Sequence, residues 1–384
     1  MLVFHLVILA VLLILLGIAL LNSLTFPRAR SGARPLDRPT VSVLVPARNE
    51  ERTIASCVES LLRQDYRPME VIVLDDDSED RTGEILAGIA REHTEPLIPF
   101  RVIPGEPLPS GWLGKNRACA RLAEESTGEW LLFLDADTTH RPDMVAGLLA
   151  EATERGASFL SAVPRQLVPT FWEKVVVPMA PFLYFSTLPN RLIPRRNHQS
   201  LSAANGQMIL VSRSAYDAIG GHQAVRDRIV EDVELARLAK RMGLKTELLR
   251  ADRVSDCRMY RNLREIVDGF SKNLYPGLGR RPVPMILFIL TLLLLYVAPW
   301  IFLAASLING NGPDEPRTYL PALQALAGIT MRGLSDRAFG MKWWQGLFQP
   351  LSALTVAAIG LRSWRLWESG GGGSWKGRNV RDNQ

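Results

Sequence analysis

Cysteine is scarce in this chain. Only Cys57, Cys119 and Cys257 occur among 384 residues, an odd number without metal-ligand spacing. That excludes a disulfide scaffold or a cysteine-based zinc site, and it reads as small core residues in a reducing compartment. No internal repeat is present, so a solenoid is excluded. The apolar run Leu2 to Leu21 carries no charge after His5, no basic stretch before it and no A-x-A site after it. Those lacks, with the length of the run, count against the competing reading of a cleaved signal peptide, and the run is expected to be a retained membrane anchor. The net charge is only +6. Its basic residues cluster beside apolar stretches, which points to anionic lipid and membrane topology; no nucleic-acid partner is expected.

The chain divides by composition into an anchor (1–24), a soluble-looking domain (40–255), an interfacial stretch (256–282), a membrane region (283–366) and a basic tail (367–384). Arg28, Arg30, Arg34 and Arg38 follow the anchor, so the soluble domain should be cytoplasmic in a multi-pass protein of the cell membrane. From Thr40, strand and helix patterns alternate, starting with Val41 to Val45 and a helical stripe at Ile54, Val58, Leu61 and Leu62. Alternation of this kind predicts an α/β fold with a mostly parallel sheet, whose ligands bind beyond the carboxyl ends of the strands. Phe171 to Leu192 is oily but interrupted by Pro178, Pro181 and Pro189; it is expected to lie on the membrane as a surface helix or broken loop. Arg258-Met259-Tyr260-Arg261 precedes a helix through Ile266, Val267, Phe270 and Leu274 that reads as interfacial, and Pro284 to Leu307 reads as a span. Leu320 to Met331 is expected to be re-entrant or interfacial, before a final apolar run over Leu347 to Leu361.

The chemistry concentrates at strand ends. Trp130 to Leu134 reads as a buried strand that runs into Asp135-Ala136-Asp137, and residues i and i+2 of an extended chain share a side. Two hard oxygen ligands there suit Mg²⁺ or Mn²⁺ with positions left for a diphosphate. The alternative is a turn in which Asp137 or Thr138 caps a helix opening at Pro142. Val71 to Leu74 likewise ends in Asp75-Asp76-Asp77, Pro46 to Glu50 forms a polar loop, and Glu231-Asp232 opens another helix. Diphosphate held through a divalent cation, with a separate carboxylate as base, would use this set.

In order and spacing, V-S-V-L-V-P-A-R-N-E-E, V-L-D-D-D-S, F-L-D-A-D and V-E-D-V-E-L resemble the family-2 glycosyltransferases from Val41 to about Leu249. The resemblance implies a GT-A, Rossmann-like, nucleotide-sugar-binding domain flanked by N- and C-terminal transmembrane helices. By position, Pro46, Ala47, Arg48, Asn49, Glu50 and Asp76 would hold the nucleoside, with Asp75 supporting. Asp135 and Asp137 would bind metal and diphosphate, and Lys115 of Gly114-Lys115-Asn116 would counter phosphate charge. Asp232 would be the base of an inverting transfer. Within the family, G-W-L-G-K-N, R-M-Y-R with S-K-N, and W-K-G-R look like membrane-bound members associated with carotenoid and hopanoid lipids. That implies a UDP-sugar donor and a lipid acceptor, with Glu231, Arg258, Tyr260, Arg261, Trp375 and Arg378 on the acceptor side. Polysaccharide synthases carry Q-x-x-R-W where this chain has Arg258 to Arg261, and the Gln and Trp are missing. A processive synthase and a non-catalytic nucleotide-sugar-binding scaffold are the alternatives.

Overall fold

The computed structural model describes residues 1–93, 98–370, 374–375 and 378–379. The chain divides into two compact units, one of residues 27–165 and 192–259 with the tail, the other of residues 1–26, 166–191 and 260–373.

The first unit is α/β. Its strands are β1 (Val41–Ala47), β2 (Met69–Asp75), β3 (Phe100–Pro104), β4 (Trp130–Leu134), β5 (Thr138–His140) and β6 (Phe159–Val163). β7 (Arg165–Gln166) marks the unit boundary, and β8 (Met208–Ser212), β9 (Thr246–Arg250) and β10 (Ser255–Cys257) follow. The main sheet has the order β3-β2-β1-β4-β8-β6-β9. The sheet is mixed, not simply parallel, because β8 runs antiparallel to both β4 and β6. Helices α2 (Ile54–Leu62), α3 (Thr82–Glu92), α4 (Gly114–Glu124), α5 (Met144–Arg155), α8 (Arg213–Ala218) and α9 (Glu231–Arg241) complete the unit. Two apolar clusters form its core. One gathers Val43, Val45, Val71, Leu132 and α5 residues, and the other Leu44, Ile72, Phe133, Ile209 and α4 residues. Alternate residues of each strand therefore face opposite clusters, which is why the strands read as unbroken apolar runs.

Chain order reverses beside β1: β2 and β3 lie on one side and β4 on the other. That is a topological switch point, where strand ends part and leave a crevice. After β4 the chain enters the short strand β5, and α5 starts at Met144. The cap alternative therefore fails. Thr138 donates its hydroxyl to the Asp135 carbonyl, and Asp143 accepts from Ser31 and Gly32. The linker arginines also differ from the lipid-facing reading. Arg28 pairs with Asp252 at 2.9 Å, Arg30 with Glu151 at 2.5 Å and Arg34 with Asp65 at 2.7 Å. All three cysteines are buried and free, as expected of core residues.

The second unit is helical: α1 (Leu2–Thr25), α6 (Phe171–Val176), α7 (Met179–Thr187), α10 (Leu263–Gly277), α11 (Pro282–Tyr296), α12 (Ala298–Ile308), α13 (Pro316–Ala338) and α14 (Gln349–Glu368). Among the described residues, two helical stretches suffice by length and composition to cross a membrane, Leu2–Thr25 and Pro282–Ile308. Phe171 to Leu192 is broken at Pro178 as its prolines require; Met179, Phe182 and Phe185 are buried, whereas Phe171 and Leu192 at its ends are exposed. Leu320 to Met331, expected to be re-entrant or interfacial, is part of one continuous α13, which rules out a break within it.

Candidate active site

Two strand ends and a helix start build the site. Asp75 closes β2, and its carboxylate accepts from the Ser78 hydroxyl at 2.5 Å and the Ser78 N–H at 3.3 Å. Pro46 and Ala47 end β1 in register with Leu74 and Asp75, and the Asp76 N–H donates to the Ala47 carbonyl at 2.8 Å. Arg48 turns inward. It is 3% exposed and donates to the Asp76 and Asp77 carbonyls at 2.5 and 2.6 Å, and to Glu79 at 2.9 Å. Asn49 has a left-handed backbone, φ 52°, and its side-chain oxygen accepts the Glu79 N–H at 2.8 Å. The Glu50 N–H donates to the Thr82 hydroxyl at 2.7 Å. These bonds tie the loop after β1 to the loop after β2 and leave Asp76 nearly buried, at 5% exposed. Gly105 permits the close fit, since a Cβ there would stand 2.8 Å from the Asp76 Cα.

The second half lies across the switch point. Asp135 follows β4, and Lys115 opens α4 with its Nζ 2.8 Å from Asp135 Oδ1 and 3.0 Å from Glu231 Oε1. Asn116 fixes that helix start by donating to the Val225, Arg226 and Arg228 carbonyls. Glu231 and Asp232 stand in the first turn of α9, where the helix dipole favours negative charge. Asp232 accepts the Val233 N–H at 2.8 Å and also the Gly206 N–H. Burial, followed by the charge of Glu231, still raises the Asp232 carboxyl to about 7. Burial alone would lower the Lys115 ammonium, but Asp135 and Glu231 raise it well above its ordinary value.

Asp137 sits two residues beyond Asp135. Its Oδ1 accepts from the Cys257 thiol at 3.5 Å, and its carbonyl accepts the Arg258 N–H at 3.3 Å. Asp135 and Asp137 lie on a turn between β4 and β5, closed by the Thr138 N–H on the Asp135 carbonyl at 3.2 Å, and not on the extended chain the sequence suggested; they are hard oxygen donors, yet no cluster of three His, Cys, Asp or Glu forms among the described residues. A small divalent cation commonly takes one or two carboxylates and completes its shell with water and substrate phosphate. The donor set fits such a substrate-bridged cation, provided Asp135 exchanges Lys115 for it.

Tyr260 belongs to the helical unit, where it packs on Phe270, and the Arg261 N–H is held by Glu265. Trp375 and Arg378 pair across a two-stranded ladder; Lys376 and Gly377 between them lie outside the described residues. Sequence reasoning missed Gly206. A Cβ there would lie 3.3 Å from Lys115 Nζ and 3.5 Å from both Glu231 Oε1 and Asp232 Oδ2. It also missed His222, buried against Phe133 and bonded to the Tyr216 hydroxyl at 2.9 Å. Burial pushes its imidazole down to about 3, so it is neutral. The Gly220-Gly221-His222 turn was its only signal in the sequence.

Residues 42–220 match the family model described as Glycosyl transferase family 2. A 4,4'-diaponeurosporenoate glycosyltransferase of Staphylococcus haemolyticus is 27% identical over 70% of this chain and 69% of its own length. One of the same name from Staphylococcus aureus is 26% identical over 62% of each chain, so this chain spans about three fifths of that relative. Among solved structures, the mannosyltransferase PcManGT from Pyrobaculum calidifontis, in complex with GDP-Man and Mn²⁺, matches with a TM-score of 0.54. It is 19% identical, and the match covers 94% of this chain and 98% of that one, a likeness of fold. Residues 42–220 thus match a glycosyl transferase family 2 domain, within an α/β unit of GT-A-like fold with a mixed sheet, and the match is to a glycosyltransferase enzyme.

Proposed function

We propose that this enzyme moves one sugar, with inversion, from a UDP-sugar to a lipid acceptor of the carotenoid or hopanoid kind, at the cytoplasmic face of the membrane that holds its helical unit. The observation that carries the reading is Lys115, poised between Asp135 and Glu231 with Asp232 beside it. The loops after β1 and β2, from Pro46 to Glu50 and at Asp75 and Asp76, hold the nucleoside. Asp135 and Asp137 hold Mg²⁺ or Mn²⁺, which neutralises charge on the donor diphosphate when bound. Lys115 adds a second positive charge where the leaving group develops its own.

Asp232, its carboxyl raised to about 7 by burial and by Glu231, takes in its ionised form the proton from an acceptor hydroxyl. The oxygen attacks the anomeric carbon from the face opposite the diphosphate, the carbon–oxygen bond to the nucleotide breaks, and the nucleoside diphosphate leaves. A carboxylated lipid, such as the relatives' names describe, would arrive already ionised and would not need that proton transfer. The names of the relatives and the long apolar helices Leu2–Thr25 and Pro282–Ile308 support a lipid acceptor met at a membrane.

The test supplies membranes containing the protein with a panel of UDP- and GDP-sugars and Mn²⁺, and follows extracted lipids by mass spectrometry beside Asp232→Asn. A lipid heavier by one hexose, absent with the variant, is expected. A ladder of added sugars, or donor binding without product from any lipid extract, would overturn the reading.

A further inference from the structure

The helical unit contains a segment whose course does not follow from its hydropathy. Contacts fix the direction of each helix. On α1 and α13, the Gln324 amide donates to the His5 carbonyl at 2.7 Å, and Phe26 meets Phe339 at 5.6 Å. These two helices run the same way. Between α11–α12 and α13, Ser306 bonds Thr318 at 2.7 Å, and a Cβ on Gly328 would touch the Tyr296 ring at 3.2 Å. That pair runs in opposite directions.

α13 therefore descends from the level of Ser306 towards the level of Phe26. The next turn, Trp343–Phe348, climbs back along it. Gly346 packs against the Ile329 carbonyl and the Gly333 backbone, with a Cβ there only 2.6 Å from the former. Ile329 and Gly333 lie nine and five residues before Ala338, a return of about 7–14 Å at 1.5 Å per helical residue. α14 then starts level with Arg332, which donates to Gln349 at 3.4 Å and to Ser352 at 3.1 Å. It ends beside the start of α11. Gly360 faces Met285, Ser363 donates to the Ser271 carbonyl, and Arg280 stacks on Trp367 at 4.5 Å. α14 thus runs in the same direction as α13, starting part of the way along it.

The surface of the turn is inverted relative to a water-facing one. Gln345 and Gly346 are buried, while Trp343 is 67% exposed, Leu347 60% and Trp344 38%. Phe171 on α6 adds another exposed ring, packed on Phe348 at 5.4 Å. On α14, Leu354 is 51% exposed. Polar inward and apolar outward is the pattern of an element solvated by lipid, with tryptophan favoured towards the headgroup level. Charge agrees, because Arg337 and Lys342 flank the turn on one side and Arg362 and Arg365 close α14 on the other.

We propose that residues 339–361 form a re-entrant element whose Trp343, Trp344 and Leu347 face bilayer lipid, and that Ser369 emerges on the same side as Phe26 and Arg281. This rests on the membrane attachment in the functional reading above. Three passes, by α1, α11–α12 and α13, and one partial re-entry leave the anchor's end, α10 and the start of the tail on one side. The hydrocarbon layer is about 30 Å deep, so a return of about 10 Å cannot cross it.

The experiment uses the full chain in right-side-out and inverted membrane vesicles, with single added cysteines at exposed positions: Arg281→Cys, Asp314→Cys, Trp343→Cys and Ser369→Cys. The native cysteines are buried, and the unsubstituted chain gives the background. A membrane-impermeant maleimide should label Ser369→Cys in the same vesicles as Arg281→Cys, and Asp314→Cys in the opposite ones. Trp343→Cys should react in neither, but readily once detergent is added. Labelling of Ser369→Cys together with Asp314→Cys means α14 crosses and overturns the proposal. Reaction of Trp343→Cys in intact vesicles, or protection that survives detergent through contact with a second copy, also overturns it. Release of the whole chain by an alkaline carbonate wash would instead sink the membrane attachment itself.

Discussion

Asp232→Asn tests a catalytic role and an energetic one together. The change removes a base but keeps a side-chain oxygen able to accept the Val233 and Gly206 N–H groups. The carboxyl is raised from 3.8 to about 7 by burial and by Glu231. A group that holds its proton more tightly when folded contributes stability that is fully present below its unfolded pKa. That stability is lost as pH rises towards the folded pKa, so the loss accumulates between about pH 4 and pH 7 and then levels off. At about 1.4 kcal/mol per unit, a rise of about three units sets a ceiling of about 4 kcal/mol. Solvent reaches part of this side chain, which brings the expected penalty to roughly 1–3 kcal/mol. The variant should therefore lose activity by about 10²–10⁴-fold and melt higher than the parent at pH 8, with the gap closing towards pH 4. Thermal melts across pH in one detergent, beside single-turnover transfer assays, measure both. A variant that melts lower at every pH, or that turns over at the parent rate, would refute the placement of a strained carboxylate at the reacting centre.

Three further outcomes follow from the same group. Lys115→Met removes the pairs with Asp135 and Glu231, so donor KM should rise about 10–100-fold, the scale of a lost charged hydrogen bond. Loss of that cation should also move the acid limb of the pH–rate profile upward, because Lys115 holds the Asp232 carboxyl down; an unmoved limb would contradict the coupling. Gly206→Ala places a methyl 3.3 Å from Lys115 Nζ, and kcat should fall about tenfold or more with little change in melting temperature. Chelation with EDTA should abolish donor binding measured by calorimetry, with Mn²⁺ or Mg²⁺ restoring it; full affinity in EDTA would remove Asp135 and Asp137 from any metal role.

What was legible in the sequence was what short-range pattern encodes. The strand ends at Asp75 and Asp135 and the helix start at Glu231 follow from apolar runs stopping at acidic residues. A strand followed by a helix leaves little choice about where such ends point. The antiparallel β8 was not legible, because four apolar residues from Met208 to Val211 read alike in either direction. Only the fold decides that direction, and it brings Gly206 against Lys115 and Asp232. Lys115 itself drew attention through family resemblance; nothing local tells a helix-opening lysine from one poised between two carboxylates.

The course of the helical unit was not legible for a different reason. Hydropathy averages over a helix, whereas packing sorts its faces. α13 buries Gln324, Arg332 and Asp336 against neighbouring helices, with Arg332 bonded to Asp336 at 2.9 Å. Polar residues satisfied inside a bundle lower the apparent hydropathy of the helix without changing what its outer face meets. Conversely, Trp343, Trp344 and Leu347 raise the hydropathy of a turn too short to span anything. The linker arginines show the same limit in the α/β unit. Arg28, Arg30 and Arg34 counted as topology signals, yet each meets a carboxylate distant in sequence. Sequence gives a charge's sign and position but not which partners folding brings to it.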